Sequence, residues 1–188
     1  MLILASASPA RLELLRSIGL APDKVLPADV DETPLKAEKP EQYVLRVARM
    51  KAEAVAELHP ENFILAADTA ASLGLTIIGK AEDARHAREI IQRFSGRRHR
   101  VHTGICVIAP NGVTRTRRVT TVVKFATIAE PELEAYITSG EWRGKAGAFG
   151  IQGRGGGFIE WINGSFSNVI GLPLVETRNL LKGMGYKG

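Results

Sequence analysis

The sequence predicts an α/β fold built on a mixed, twisted sheet with flanking helices, and three observations lead there. Short apolar runs, typical of buried strands, alternate with longer segments that have helical spacing. Two long strand-like runs meet at Pro110-Asn111-Gly112, a hairpin signal that makes part of the sheet antiparallel. The 188 residues, 45% of them apolar, suffice for one sizeable core. We therefore expect residues 1–188 to form a single domain.

The N-terminal segment predicts a strand, a hydroxyl-bearing loop and a helix start. Leu2–Leu4 is long enough for a buried strand. Ser8 suits a helix N-cap, and Pro9 suits the first helical position. Ser6, Ser8 and Arg11 would then surround a helix N-terminus, where free N–H donors attract anions. On these residues alone an ordinary capped helix is the simpler interpretation, and a phosphate site is the alternative.

The rest of the chain continues the alternation of helices and strands. Prolines, glycines and capping residues separate the segments, and a glycine-rich stretch at 144–157 precedes the last strand. In chain order we predict a weak strand at 25–27, an acidic loop at 29–34, a helix at 41–58, strands at 62–67 and 76–78, a helix at 82–94, strands at 101–108 and 113–125, a helix at 130–139, a strand at 158–162 and a helix at 173–182.

The net charge of +5 favours an anionic ligand, either a nucleotide or a nucleic acid. The basic residues concentrate at 97–100 and 115–118, beside predicted strands. Neither cluster has interleaved aromatic residues, and no helix-turn-helix or zinc-finger spacing is visible. Solvated turns and strand ends are therefore the simpler interpretation of both clusters, and we expect no specific nucleic-acid partner.

The composition also bears on the compartment. Cys106 is the only cysteine, which excludes an internal disulfide and favours the cytoplasm; its apolar neighbours predict a buried strand thiol. No run approaches the ~20 apolar residues of a membrane span. The N-terminus lacks the basic region and long apolar stretch of a signal peptide. We expect a cytoplasmic protein without a membrane partner.

Three charged residues are candidates for chemistry. Asp68 is predicted at the end of a strand and is followed by Thr69. A carboxylate there can bind a metal or activate water, and the hydroxyl can bind a phosphate; a turn cap is the alternative. Lys51 lies on the long helix, where a solvated lysine is the alternative. Lys80 follows a glycine in a predicted loop.

Short motifs spaced along nearly the whole chain are more specific together than alone. They are Leu-Ala-Ser-Ala-Ser-Pro at 4–9, Asp-Val-Asp-Glu at 29–32, Arg-Met-Lys-Ala at 49–52, Ala-Asp-Thr at 67–69, Gly-Lys at 79–80, Ser-Gly at 95–96, Val-His-Thr-Gly at 101–104, Gly-Glu-Trp-Arg-Gly-Lys-Ala-Gly at 140–147, Gly-Ile-Gln-Gly at 150–153 and Asn-Val-Ile-Gly-Leu-Pro at 168–173. In this order they resemble the Maf family of nucleoside triphosphate pyrophosphatases.

The resemblance implies a fold, an activity and a metal. The fold would be similar to that of the inosine triphosphate pyrophosphatases, with two lobes around a cleft that holds the site. The activity would be hydrolysis of the α–β phosphoanhydride of a nucleoside triphosphate, giving a monophosphate and pyrophosphate with the help of Mg²⁺ or Mn²⁺. The sequence leaves the oligomeric state open, a homodimer included.

The resemblance also implies roles for residues. Asp68 would be the general base, and Glu32 would join it in placing the metal or the water. Lys51 and Lys80 would act on the phosphates. The other members of the implied site bind substrate: Ser6, Ser8 and Arg11 beside the phosphates, and Thr69 and Gln152 at positions associated with substrate choice.

One departure from the family pattern concerns substrate choice. Gly-Ile-Gln-Gly at 150–153 is similar to the branch that prefers dTTP and UTP and differs from the branch that acts on 7-methyl-GTP. The family usually reads Ser-x-Ser-Pro-Arg-Arg, but here Ala10 replaces the first arginine, which belongs to the specificity set of the dTTP/UTP branch. We therefore expect dTTP and UTP activity with broader side activity.

A second hypothesis stands beside the enzyme. The net charge of +5 is also compatible with a nucleic-acid-binding or division-regulating interaction module that has no catalytic activity. Such a module would release no pyrophosphate and would bind DNA or RNA with a steep dependence on salt.

Overall fold

A computed structural model describes residues 1–188 and shows the predicted α/β class. The helices and strands alternate along the chain, with one 3₁₀ helix at Arg154–Phe158. The strands are β1 (Leu2–Leu4), β2 (Lys24–Val25), β3 (Phe63–Leu73), β4 (Thr76–Ile78), β5 (Arg98–Ile108), β6 (Thr114–Phe125) and β7 (Ile159–Asn163); the helices are α1 (Pro9–Ser17), α2 (Pro40–Leu58), α3 (Ala84–Phe94), α4 (Glu130–Ser139), α5 (Phe166–Ile170) and α6 (Leu174–Gly183).

The seven strands form one mixed sheet in the order β2-β1-β3-β5-β6-β7, and β4 pairs with part of β3. Strand β1 is parallel to both of its neighbours, whereas β5 and β6 form the antiparallel hairpin that Pro110-Asn111-Gly112 predicts. None of the helices is both long enough and apolar enough to cross a bilayer.

One sequence prediction about the sheet is wrong. Asp68 does not end a strand, because β3 continues to Leu73. The extension runs through small residues that pair with β5 on one edge and with β4 on the other. The basic clusters lie where the sequence predicts, at strand ends: Arg98 and Arg100 begin β5, and the exposed residues 115–118 lie near the start of β6.

Strand β3 has two different partners along one of its edges. Strand β1 pairs with its beginning, at Phe63–Leu65, and β4 pairs with its end, at Ala71–Leu73. Between these ladders no strand pairs with this edge at Asp68 and Thr69. The gap exposes both faces of β3 at one point, so the side chains of two consecutive residues can reach the same space.

Helix α2 covers one face of the sheet and lies unusually close to it. Val44 and Ala48 are fully buried on this helix, and its apolar face packs against β3 and β5. Gly104 of β5 permits the approach, because a Cβ atom there would overlap the backbone at Val44. Gly104 is the cross-strand partner of Asp68, so the close approach occurs where α2 passes that carboxylate.

The opposite face carries two apolar clusters at its two ends. One packs α1 and α6 against the sheet, through Leu15 and Leu181. The other packs α3 and α4 around Phe94. Thr69 and Thr103 are cross-strand partners that lie on β3 and β5 between the two clusters. This polar band forms the floor of a cleft between two lobes.

Candidate functional site

A cavity of about 570 Å³ opens at the gap beside β3. Its walls come from the β1–α1 loop, the acidic loop before α2, the middle of β3, the segment after β4 and the glycine-rich stretch. All nine residues that the sequence singled out line it: Ser6, Ser8, Arg11, Glu32, Lys51, Asp68, Thr69, Lys80 and Gln152. They span most of the chain, and the fold brings them together.

Lys51 is buried between two carboxylates. Its Nζ lies 2.8 Å from Asp68 Oδ1 and 2.7 Å from Glu32 Oε1. Only 7% of Lys51 is exposed, so Lys51 is not the solvated lysine that we kept as the alternative for this helix position. Desolvating a charge is costly unless partners compensate for it, and here two partners of opposite sign do so.

The two carboxylates differ in their environment. Burial raises the pKa of Asp68 above its usual value, against the lowering by Lys51 and Arg11. Glu32 is half-exposed; burial acts to raise its pKa, but the hydrogen bond from Lys51 and the charges of Lys51, Lys80 and Arg11 bring it below the usual value. Two neighbouring carboxyls whose pKa values move in opposite directions can take different roles in acid–base chemistry.

One of the two carboxylate oxygens of Asp68 has no hydrogen-bond partner. Its Oδ1 accepts the hydrogen bond from Lys51, whereas its Oδ2 is buried without any partner. Buried polar atoms are nearly always hydrogen-bonded, so an unpaired one facing a cavity needs an explanation. A water molecule, a proton or a cation at this oxygen would satisfy it.

Arg11 ties three parts of the cavity wall together. Its Nε donates to the Gly171 carbonyl at 2.8 Å, Nη1 to Ser6 Oγ at 3.0 Å and Nη2 to Thr69 Oγ1 at 3.1 Å. Thr69 Oγ1 lies 2.9 Å from Thr103 Oγ1, which donates on to a backbone carbonyl of α5. The guanidinium is thus held in place before any ligand arrives.

The N-terminus of α1 forms the adjoining wall as predicted. Ser8 is the N-cap, and its hydroxyl accepts from the Arg11 amide at 3.4 Å, while Pro9 occupies the first turn. Ser6 Oγ accepts from the Ser8 amide at 3.2 Å, which fixes the loop before the helix. The first turn contains no acidic residue to oppose an anion.

Lys80 approaches from the opposite rim. It is exposed and forms an isolated antiparallel bridge with Ala146, while Gly147 donates to the Gly79 carbonyl at 2.9 Å. These backbone bonds join the segment after β4 to the glycine-rich stretch. Lys80 is close enough to Glu32 for its charge to lower the pKa of that carboxyl. The charges of Lys80 and Lys51 therefore act on the same part of the cavity.

Two features of the cavity bear on ligand choice. Gln152 is exposed in the glycine-rich stretch and its side-chain amide makes no hydrogen bond within the protein, so all of its donors and acceptors can meet a ligand. Ala10 lines the cavity in the first turn of α1, and it offers neither a charge nor a donor at that point.

Sequence reasoning missed three contributors to this site. Thr103 and the Gly171 carbonyl hold Arg11 and Thr69, and both belong to motifs whose partners lie far away in the chain. Arg46 forms a bidentate ion pair with Glu38, at 2.7 and 2.8 Å, and so braces the loop that carries Glu32.

Cys106 lies outside the cavity. It is fully buried in β5, and burial raises the pKa of its thiol to about 12. The predicted strand thiol is therefore confirmed, and a thiolate nucleophile is excluded at neutral pH.

Comparison with known proteins identifies relatives by family, by sequence and by structure. Residues 1–184 match the sequence profile of the family described as Maf-like protein. A protein of Caulobacter vibrioides named dTTP/UTP pyrophosphatase is 50% identical over 99% of this chain and 96% of its own length. One of Paramagnetospirillum magneticum with the same name is 52% identical, over 98% and 97%. Among solved structures, the Ham1 protein of Staphylococcus aureus aligns with 66% of this chain and 71% of its own, at 18% identity and a TM-score of 0.47.

Proposed function

This chain belongs to the Maf-like family, and from that premise we propose that it is a nucleoside triphosphate pyrophosphatase that prefers dTTP and UTP. The observation that carries the proposal is the buried Lys51, held between Asp68 and Glu32 on the wall of a cavity rimmed by Arg11 and Lys80. The surplus of cations suits a triphosphate, and the partly free carboxylate suits activation of water.

Asp68 is the proposed general base. The reaction adds water to the α-phosphorus and breaks the α–β anhydride, so a proton must leave the attacking water. Oδ2 of Asp68 can accept this proton, because Lys51 occupies only Oδ1. Burial raises the pKa of Asp68 towards the working pH, and a base whose pKa lies nearer that pH transfers protons more effectively.

The cations are proposed to stabilise charge on the phosphates. A triphosphate carries about four negative charges, which repel an incoming hydroxide. Lys51 and Lys80 would contact the phosphate oxygens, and Arg11 with the unpaired Ala10 amide of α1 would hold the same group from the other side. Since Arg11 is fixed by three hydrogen bonds, it needs little rearrangement during the reaction.

The residues present fit a divalent cation. No group of three or more metal-ligating side chains is close enough to hold an ion unaided. Mg²⁺, however, is commonly bound by one or two carboxylates together with substrate phosphates, and the Glu32 carboxylate and Asp68 Oδ2 are oxygen donors of that kind; Oδ2 has a second lone pair for the proton of the attacking water. We propose that these two residues hold Mg²⁺ or Mn²⁺, which when bound neutralises charge on the phosphates.

Base choice is proposed to lie with the residues beyond the phosphates. Gln152 has a free amide, whose donor and acceptor can pair with the edge of a pyrimidine, and Thr69 lies on the cavity floor with its hydroxyl bonded to Arg11 and Thr103. Ala10 leaves one side of this region without a donor. The preference for dTTP and UTP is therefore proposed to be broader than in chains that have an arginine there.

The decisive experiment is incubation of the purified chain with a panel of nucleoside triphosphates and Mg²⁺ or Mn²⁺. We expect pyrophosphate and the monophosphate in equal amounts, fastest with dTTP and UTP. Release of orthophosphate would contradict cleavage at the α–β bond. Salt-sensitive binding of DNA or RNA without turnover would instead favour an interaction module.

We extend the proposal to the setting of the enzyme. The single, buried cysteine supports the cytoplasm as its compartment. Residues 1–188 would act as one catalytic unit, and a homodimer is the assembly to test first, by sedimentation of the purified chain.

A further inference from the structure

Glu141 lies behind the glycine-rich stretch and does not line the cavity. It follows Gly140, the left-handed C-cap of α4, so the helix end sets the direction of its side chain. Its Oε2 accepts from the Arg154 amide at 2.9 Å, and its Oε1 accepts from the Gly155 amide at 3.3 Å. One carboxylate thus holds two consecutive amides of the segment that follows Gln152.

The glycines of this segment fit closely around Glu141. A Cβ atom on Gly153 would lie 2.5–2.6 Å from the carboxyl atoms of Glu141, so any side chain there would displace this carboxylate. At the other end, Lys145 donates from Nζ to the Glu141 carbonyl at 2.6 Å, and its methylenes lie against Gly150. Glu141 and Lys145 therefore hold both ends of residues 150–155.

Gln152 stands at the middle of the held segment. Its side chain lines the cavity and makes no hydrogen bond to the protein, so its position depends entirely on the backbone that carries it. Charge-assisted hydrogen bonds to backbone amides are the strong kind, and two of them from one rigid carboxylate suffice to order a short glycine-rich loop.

We propose that Glu141 is a positioning residue for base selection, acting through the backbone of residues 150–155 on Gln152. The inference rests on the proposed function, since it concerns which nucleotide that activity selects. It does not concern the phosphate chemistry, because Lys51, Asp68 and Arg11 are held by contacts of their own.

The test compares kcat/KM for dTTP with kcat/KM for dATP in two variants. Glu141→Ala removes both acceptors, and Glu141→Gln keeps the shape with one carbonyl acceptor. We expect the dTTP/dATP ratio to fall up to about tenfold in the first and less in the second, since losing one neutral hydrogen bond to the base costs up to about that much. The kcat for dATP should stay near the wild-type value. Equal losses for both nucleotides, with an unchanged ratio, would overturn the inference.

A double-mutant cycle tests whether the effect passes through Gln152. Gln152→Ala alone should lower the same ratio, and adding Glu141→Ala to it should lower the ratio no further. Independent, multiplicative losses in the double variant would overturn the inference even if each single variant behaves as expected.

Two matched controls separate positioning from general destabilisation. Glu132→Ala removes a glutamate at the other end of α4 that also accepts a backbone amide, from Ala129 at 3.2 Å, and should leave the ratio unchanged. Gly153→Ala should reproduce the effect of Glu141→Ala by displacing the carboxylate. Gly157→Ala should not, because a Cβ atom there meets nothing within 4 Å.

Measurements on the wild-type chain distinguish a failure of this inference from a failure of the proposed function. A wild-type chain that releases pyrophosphate from dTTP and dATP equally well would overturn base selection by this loop and leave the pyrophosphatase activity standing. A wild-type chain that releases no pyrophosphate from any nucleotide would overturn the proposed function, and this inference with it.

Discussion

The two walls of the cavity are built in different ways. The first, which we call the phosphate wall, consists of Ser6–Arg11, Lys51 and Asp68; Lys51 and Asp68 are buried and bonded to each other, and the half-buried Arg11 is bonded to Ser6. The second is the glycine-rich stretch at 144–157, which is exposed at 152–154 around Gln152 and is held there by bonds to its backbone. Buried side-chain pairs on rigid elements hold atoms more precisely than a loop does.

The difference corresponds to the two parts of the proposed substrate. Every nucleoside triphosphate presents the same phosphates, so a rigid and charged wall can serve them all. The base varies, and a loop that can be repositioned by a few contacts can distinguish between bases. Variants of the phosphate wall should therefore change the rate for every nucleotide, and variants facing the base should change the ratio between nucleotides.

The largest effect is expected for Asp68→Asn. We expect kcat to fall about 10²–10⁴-fold for every triphosphate, as is usual for the loss of a general base. The free energy of unfolding should change by less than about 1 kcal/mol at pH 7, because Lys51 keeps Glu32 as a partner and burial already disfavours the ionised Asp68. Steady-state kinetics and thermal unfolding of the same sample measure both.

Asp83→Asn is the matched control for that substitution. Asp83 caps α3 outside the cavity, and asparagine caps a helix about as well as aspartate. Its kcat and its unfolding midpoint should both match the wild type. Turnover near the wild-type rate in a folded Asp68→Asn variant would remove Asp68 from the role of base.

The two lysines proposed to contact the phosphates, Lys51 in the phosphate wall and Lys80 on the opposite rim, should differ in the effect of their removal. Lys51→Ala leaves two carboxylates facing each other without a cation, so turnover should be lost and the free energy of unfolding should fall by about 3–5 kcal/mol. Lys80→Ala removes an exposed cation, so it should lower turnover of every triphosphate with little loss of stability. Denaturant titration together with a nucleotide panel distinguishes the two.

Arg11→Ala extends this comparison. It removes three hydrogen bonds, to Gly171, Ser6 and Thr69, and should also lower turnover of every triphosphate. A variant of Arg11, Lys51 or Lys80 that altered only the preference between bases would contradict the division between the two walls.

A moderate effect is expected for Ala10→Arg. A charge-assisted hydrogen bond is worth roughly 1.5–3 kcal/mol, which corresponds to about ten- to a hundredfold in selectivity. The ratio of kcat/KM for dTTP and UTP over purine triphosphates should rise by about that factor. Ala10→Lys restores the charge without the planar fork and should gain less. An unchanged ratio in both would mean that Thr69 and Gln152 already determine the choice.

The smallest effect at neutral pH is expected at His99, which packs behind the glycine-rich stretch. Its ring stacks on Phe94 and contacts Phe149, which lines the cavity. Neither ring nitrogen has a hydrogen-bond partner, and burial lowers the pKa of His99 to about 3. The unfolded chain binds this proton below a pKa of about 6.5, so stability is lost as pH falls from 6.5 towards 3, by up to about 1.4 kcal/mol per unit.

His99→Phe should remove that part of the acid sensitivity. Unfolding free energies at several pH values between 7 and 4 should diverge, with the wild type losing more than the variant. His59→Phe, at the end of α2 and outside the cavity, is the matched histidine-to-phenylalanine control. Parallel curves for His99→Phe and the wild type would contradict a neutral, buried His99.

The parts of the fold that depend on local chemistry could be predicted from the sequence. The start of α1 follows from Ser8 and Pro9, and the β5–β6 hairpin from its turn residues. The end of β3 could not, because its extension depends on pairing with β4 and β5 rather than on its own residues. Helix α5 spans only Phe166–Ile170, too short to show a helical period.

For the candidate site, the residue types could be predicted from the sequence but their contacts could not. The motifs identify the residue types, since hydroxyls, lysines and carboxylates are what phosphate chemistry needs. The burial of Lys51 could not be predicted, because it depends on how closely α2 approaches Gly104. The hydrogen bond from the Arg154 amide to Glu141 could not be predicted either, since the glycine-rich composition of this region does not show which carboxylate its amides reach.

The gap beside β3 limits where residues can be inserted into or deleted from this chain. Asp68 and Thr69 reach one cavity from opposite faces, so deleting one residue between Ile64 and Ala67 would exchange the faces of both side chains. Insertions and deletions within β3 should therefore be absent from active relatives. The exposed turn at 110–112 carries no such constraint, and it is the natural place to insert a peptide tag or to open the chain for circular permutation.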